Sequence, residues 1–297
     1  MANAQIEQIR IMLKENPVIP EGASLEQMRS GFDSMGGMFP SLDDVSSIPV
    51  DAGGVDSEWF DVSGGEPSRV LLYLHGGGYL IGSVQSHRPM IERITKATGA
   101  RVLAINYRLA PEHPFPAAVD DAVAAYRWLL EQGYPANRIA VAGDSAGGGL
   151  TIATLLALRD AGVSMPACAV PISPWTDMEC TGASIESRAA VDPMVQKEIL
   201  LEMGGVYLGG ADPKSPLASP INGDFSGLPP LLIHVGDAEV LLDDSTRLED
   251  KMKAAGVDIT VEVWDEMVHV WHLFAPMLDK GQEAIDRLGA FVKEKTA

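Results

Sequence analysis

A serine flanked by small residues stands in Gly143-Asp144-Ser145-Ala146-Gly147-Gly148. It follows the apolar run 139–142 and opens a helical pattern at Ala146. A serine hydroxyl is a weak nucleophile until it is presented to a substrate and relieved of its proton by a base. A sharp strand-to-helix turn presents it, and Gly143 and Gly147 leave room for that turn. The helix N-terminus behind it favours developing negative charge. A second run, His75-Gly76-Gly77-Gly78-Tyr79, follows the apolar residues 70–74. Consecutive glycines let backbone amides come close to a substrate, and amides so placed can hold an oxyanion. A phosphate loop is disfavoured, because no Gly-Lys-Ser/Thr follows. His75 heads the glycine loop and reads as a residue that holds its shape. The two runs together point to acyl transfer at an activated serine.

Such a serine needs a base and an acid to orient the base. Where the nucleophile sits on a strand-to-helix turn, the acid and then the histidine follow it along the chain. Of the six histidines, His75, His87 and His113 precede Ser145, which leaves His234, His269 and His272. His234 lies inside an apolar strand pattern and reads as a packing residue. His269 and His272 follow the last strand pattern after a short loop, where the base is expected. Two histidines three apart could also bind metal, but no carboxylate or cysteine cluster accompanies them, so no metal is expected. The acid belongs in the segment after the seventh strand, where Asp237, Glu239, Asp243 and Asp244 compete. Asp243 and Asp244 open a helical pattern and read as helix-start residues.

These residues need a scaffold. Short β-rich runs at 47–50, 57–62, 69–75, 101–106, 138–143, 167–172, 230–236 and 258–264 alternate with helical patterns at 87–98, 115–132, 146–161, 243–255 and 278–295. Gly99, Gly133, Gly162 and Gly256 each follow a helical pattern, where a left-handed terminating residue is wanted. Alternation of this kind predicts an α/β fold, an eight-stranded and mostly parallel sheet with helices on both faces. The later strands are nearly continuous apolar runs, as strands covered on both sides must be, and the first two read as an antiparallel lead-in. Two segments break the alternation. Residues 1–45 carry helical patterns at 6–15 and 25–36, and residues 178–226 carry one at 193–207. Both are expected to form a cap over the site, which divides the chain into an N-terminal cap part (1–45), a catalytic domain (46–177 and 227–297) and an inserted cap part (178–226).

Composition narrows the partners. The 297 residues carry a formal net charge of −19, with a pI near 4.6. An acidic surface repels phosphate backbones and anionic lipid, so neither nucleic acid nor a membrane is an expected partner. The two cysteines, Cys168 and Cys180, lack metal-ligand spacing. The first twenty residues lack a basic stretch followed by an apolar one, and no run approaches the roughly 18 apolar residues of a membrane helix, so a cytoplasmic protein is expected. The strand from Asp258 to Trp264 should lie at the sheet edge, where it could pair with a second copy in a homodimer.

The motifs resemble those of the bacterial hormone-sensitive-lipase-like family of esterases, which have the α/β-hydrolase fold. His75-Gly76-Gly77-Gly78 and Gly143-Asp144-Ser145-Ala146-Gly147-Gly148 match its two hallmarks. Residues 107–118, Ser219-Pro220, Gly227-Leu228-Pro229-Pro230 and Val268-His269-Val270-Trp271 match further segments, so the resemblance runs from about residue 40 to the end. It implies a carboxylesterase acting on a small-molecule ester of short to medium chain length through an acyl-enzyme, with no cofactor. Ser145 would be the nucleophile, His269 the base, and Gly77, Gly78 and Ala146 the oxyanion donors, supported by His75 and Asp144. In many members the acid is an aspartate in Asp-Pro-Leu-x-Asp. The matching segment here is Glu239-Val240-Leu241-Leu242-Asp243, so the resemblance assigns the acid to Glu239. The same triad could serve an amidase, a lactonase or a transacylase. A non-catalytic ligand receptor on this fold would lack a working histidine, whereas His269 is present.

Overall fold

The computed structural model describes residues 4–20 and 22–297. Residues 1–3 and 21 of the expected N-terminal cap segment lie outside the described residues. In chain order the elements are α1 (Ala4–Glu15), α2 (Leu25–Met35), β1 (Val45–Asp51), β2 (Asp56–Val62), β3 (Glu66–Leu74), α3 (Val84–Thr98), β4 (Ala100–Ile105), α4 (Ala117–Glu131), β5 (Ile139–Asp144), α5 (Ala146–Asp160), β6 (Cys168–Ile172), α6 (Ser184–Ser187), α7 (Lys197–Leu208), β7 (Leu231–Gly236), α8 (Leu242–Ala254), β8 (Ile259–Trp264) and α9 (Asp279–Lys295).

Eight strands form one sheet in the order β1-β2-β4-β3-β5-β6-β7-β8. The β1–β2 and β2–β4 pairs are antiparallel and all others parallel. The pleat explains the near-continuous apolar strands, because successive side chains serve opposite faces. Leu72, Leu74 and Val141 pack with α4 and α5 on one face, whereas Leu71, Tyr73, Ala140 and Ala142 pack with α3 and α9 on the other. Beside the first face, α5 and α8 close over Leu231 and Ile233 of β7. All six residues of β5 and all six of β7 are buried, so the ends of these strands are fixed platforms for the turns that follow.

Among the boundaries that differ from the sequence pattern, two helix starts have a local cause. α3 begins three residues before the apolar periodicity does, because Ser83 and Ser86 cap each other: the Ser86 amide donates to Ser83 Oγ and the Ser83 amide to Ser86 Oγ. In the inserted segment the helix starts at Lys197 rather than at 193, because the Asp192 carboxylate draws the amides of Met194 and Val195 into a turn.

The first helix of the N-terminal segment packs against the loop that carries His269. Ile6, Ile9 and Leu13 of α1 pack on Met267, Val268, Trp271 and Phe274, the residues surrounding His269. Full burial of one such aliphatic side chain contributes about 1.5–3 kcal/mol. Arg10 adds a hydrogen bond to the Glu266 carbonyl at 2.9 Å. Among the described residues no helix is long and apolar enough to cross a membrane.

Candidate active site

Ser145 sits between β5 and α5 with φ 54°, a left-handed conformation that costs a residue with a side chain roughly 1–3 kcal/mol. The surroundings enforce it. The Ser145 amide donates to the Ile172 carbonyl at 2.8 Å, and its carbonyl accepts from the Trp175 amide at 3.0 Å. A Cβ at Gly147 would lie 2.0 Å from the Leu74 carbonyl oxygen, and one at Gly143 2.4 Å from that of Gly147, so only glycine allows the strand and helix to meet this closely.

His269 arrives from the loop after β8, and its Nε2 lies 2.9 Å from Ser145 Oγ. Its Nδ1 lies 2.8 Å from Glu239 Oε2. Glu239 is fully buried in the turn between β7 and α8 and is saturated with donors: Oε1 accepts from the Gly236 amide at 2.6 Å and from Ser173 Oγ at 2.7 Å. Ser173 also receives the Val270 amide at 3.2 Å, so one hydroxyl ties the acid to the residue after the histidine. Burial pulls the His269 pKa down, but the hydrogen bond and charge of Glu239 outweigh it, with Asp192 and Asp144 adding, and the pKa is raised.

The other candidate carboxylates face elsewhere. Asp237 Oδ1 accepts the Glu266 amide at 2.7 Å and so holds the start of the histidine loop. Asp243 and Asp244 lie in the first turn of α8, as the helical pattern implied, but their carboxylates brace the inserted segment. Asp243 accepts the Ser184 amide, and Asp244 those of Thr176 and Asp177. Burial pushes Asp244 up to about 7. His272 points away from Ser145; its ring stacks on His234, with Nε2 3.1 Å from His234 Nδ1. Burial, then the nearby His234, holds its pKa well below the ordinary histidine value.

The glycine loop runs beside the serine. Asp144 Oδ1 accepts the Gly76 amide at 3.1 Å and the Tyr73 hydroxyl at 2.6 Å, and Oδ2 lies 3.2 Å from His87 Nε2. Burial opposes the Asp144 charge, but these partners hold its pKa below the usual carboxylate value. His75 stacks on Tyr107 and its Nδ1 lies 2.8 Å from the Gly76 carbonyl oxygen, so the ring shapes the loop from beneath. Burial lowers its pKa to about 3, which keeps it neutral. Among the described residues no acceptor takes the amides of Gly77, Gly78 or Ala146. A narrow cavity of about 80 Å³ opens above them, with Gly77, Gly78, Ser145 and His269 in its wall. Val18 and Phe32 of the N-terminal segment and Met194, Val195 and Met203 of the inserted one also line it.

Ser173, Asp192, His87 and Tyr73 escaped the sequence reading. His87 had one signal, its polar side chain near the start of a helical pattern after the glycine loop. Ser173 had only its place after a strand.

A mostly parallel eight-stranded sheet with helices on both faces and a serine on the tight turn after β5 define an α/β hydrolase. The comparisons agree. The family model described as alpha/beta hydrolase fold matches residues 71–273. An acetyl-hydrolase of Streptomyces hygroscopicus is 48% identical over 296 residues, covering 100% of this chain and 98% of its own. An esterase of Acinetobacter venetianus is 30% identical over 265 residues, covering 89% and 87%. The crystal structure of an esterase from the bacterial hormone-sensitive lipase family superposes with a TM-score of 0.97 at 48% identity, covering 100% of both chains. The chain belongs to this bacterial hormone-sensitive-lipase-like family of carboxylic ester hydrolases.

Proposed function

We propose that the protein is a serine carboxylesterase that hydrolyses short- to medium-chain carboxylic esters through an acyl-enzyme. The observation that carries this reading is the unbroken hydrogen-bonded line from Ser145 Oγ to His269 Nε2 at 2.9 Å and from His269 Nδ1 to Glu239 Oε2 at 2.8 Å. In this reading His269 takes the Ser145 proton as Oγ attacks the ester carbonyl carbon. The carbonyl oxygen, now an oxyanion, is held by the amides of Gly77, Gly78 and Ala146. Collapse of the tetrahedral intermediate breaks the bond to the alkoxy oxygen, and His269 hands it the proton, so the alcohol leaves. A water deprotonated by the same imidazole then attacks the acyl-serine, and the acid departs as Ser145 regains its proton. Glu239 fixes the tautomer and balances the imidazolium charge throughout. The N-terminal and inserted segments act as the cap, since both line the cavity over the serine.

The test is Ser145→Ala assayed with p-nitrophenyl butyrate, alongside labelling by a fluorophosphonate. Removing a triad nucleophile costs several orders of magnitude, so residual activity above about 1% of wild type overturns the nucleophile assignment. Wild-type protein should take up one label per chain, and the variant none.

A further inference from the structure

Asp192 lies in the connection between α6 and α7 and is only 4% exposed. Its Oδ1 accepts the amides of Met194 and Val195, both at 2.9 Å. Its Oδ2 accepts the amide of Val240 at 2.9 Å, across 48 residues of chain. Met194 and Val195 line the cavity over Ser145, and Val240 is the peptide next to Glu239. A single buried carboxylate therefore bonds one wall of the pocket and the turn that carries the acid. Burial outweighs the charge of His269 and the three amides, which pull its pKa down, so the pKa is raised above the ordinary carboxylate value.

We propose that Asp192 is a positioning residue that couples the seating of the acyl group against Met194 and Val195 to the alignment of Glu239 with His269. The proposal rests on the triad reading above. Its chemistry follows from the donor count: three amides converge on the two oxygens, and a carboxylate accepts from all three. An asparagine cannot. Its one oxygen would stay with the two amides of Met194 and Val195, which leaves its NH2 facing the Val240 amide, donor against donor. Asp192→Asn thus cuts the link to the acid turn and spares the link to the pocket wall. A residue that merely braced the start of α7 would lower stability on substitution and leave the chemistry alone.

Charge supplies a second readout. Three carboxylates act on His269: Glu239 from the turn after β7, Asp192 from the inserted segment, and Asp144 from the end of β5, itself paired with His87. Each favours the imidazolium. Removing the Asp192 charge must lower the His269 pKa and move the acidic limb of kcat/KM to lower pH.

The experiment measures steady-state hydrolysis of p-nitrophenyl butyrate across pH for wild type, Asp192→Asn and Glu239→Gln. Asp192→Asn should lose about tenfold in kcat, as for one hydrogen bond to a charged group. Its KM should stay within about twofold, because the wall contacts are kept. Its acidic limb should move down by roughly half a pH unit. A wild-type kcat and limb in Asp192→Asn, with Glu239→Gln crippled, overturns the proposal and leaves the triad standing. A wild-type kcat in Glu239→Gln overturns the triad reading instead. Because Asp192→Asn can fail to fold, residue-resolved hydrogen–deuterium exchange on the wild-type protein provides an independent arm. Ser145 is loaded with a butylphosphonate, which seats an alkyl chain in the pocket. The amides of Met194, Val195 and Val240 should then slow by a common factor. Slowing at Met194 and Val195 with Val240 unchanged overturns the coupling.

Discussion

Asp237 and Glu239, two residues apart, hold the same loop at two points. Asp237 accepts the amide of Glu266 at 2.7 Å, and Glu239 lies 2.8 Å from the Nδ1 of His269. Glu266 has φ 66°, and Arg10 from α1 takes its carbonyl, so the start of the loop is gripped on both sides of a strained residue. The two carboxylates thus divide the work: one fixes the loop's backbone and the other faces the imidazole.

That division predicts opposite outcomes for two isosteric changes. In Glu239→Gln the amide oxygen should stay where Oε1 now accepts from both the Gly236 amide and Ser173. The NH2 group then faces His269 Nδ1 and forces the tautomer that carries its proton on Nε2. Such a histidine cannot take the Ser145 proton, and kcat should fall by about 10⁴, as when the acid of a related triad is made an amide. In Asp237→Asn the amide oxygen can still accept from Glu266, so activity should stay within a fewfold of wild type. The reverse ranking in a p-nitrophenyl acetate assay would make Asp237 the acid.

The contrast between legible and hidden residues follows from sequence distance. Ser145 and His269 each follow an apolar strand pattern closely, so their places could be read locally. Asp237 and Glu239 follow the same strand, and only the spacing to Asp243 separated them. Ser173, His87 and Asp192 act on partners 66, 57 and 48 residues away, at contacts that the sheet order creates. A sequence pattern marks where a strand ends. It does not show that β6 and β7 lie side by side with the ends of both facing one loop. The start of α7 lies four residues beyond the start of the pattern at 193–207 for the same reason, since the turn at 192–195 is set partly by a bond to Val240. Strand boundaries were read to within about three residues, most directly at β5, β6 and β7, where every residue is buried and the apolar run marks the strand.

Substrate length should be set at Met203. A Cβ added at Gly78 would lie 2.4 Å from the Met203 Cε, so this side chain of α7 presses on the glycine loop and narrows the cavity. The wild-type enzyme should therefore prefer short to medium p-nitrophenyl esters, with kcat/KM falling for long acyl chains. Met203→Ala should move the optimum toward longer chains, raising kcat/KM for the octanoate relative to the acetate by roughly tenfold, the usual value of a methylene or two in an apolar pocket. An unchanged chain-length profile in Met203→Ala would place the length limit elsewhere. Faster turnover of emulsified long-chain triglyceride than of soluble short esters would overturn the preference itself.

Activity and one component of stability should run in opposite directions with pH at His269. The base must be neutral to take a proton, so kcat/KM should fall as pH drops through the raised His269 pKa, giving an acidic limb above the ordinary value of 6.5. The stability linkage has the other sign. A histidine whose folded pKa exceeds its unfolded one binds its proton more tightly when folded. The contribution of the Glu239–His269 pair is then fully present below pH 6.5 and is lost as pH rises through the folded pKa. His75, with its pKa held near 3, and His272 work the other way, because buried neutral rings oppose protonation and weaken the fold in acid. Total stability therefore conceals the pair, and a difference is needed to expose it. The melting temperature of wild type minus that of Glu239→Gln should be largest below pH 6.5 and shrink toward pH 9, while the wild-type kcat/KM rises over the same range. A difference that grows with pH, or an acidic limb below 6.5, would mean that Glu239 does not raise the imidazole pKa.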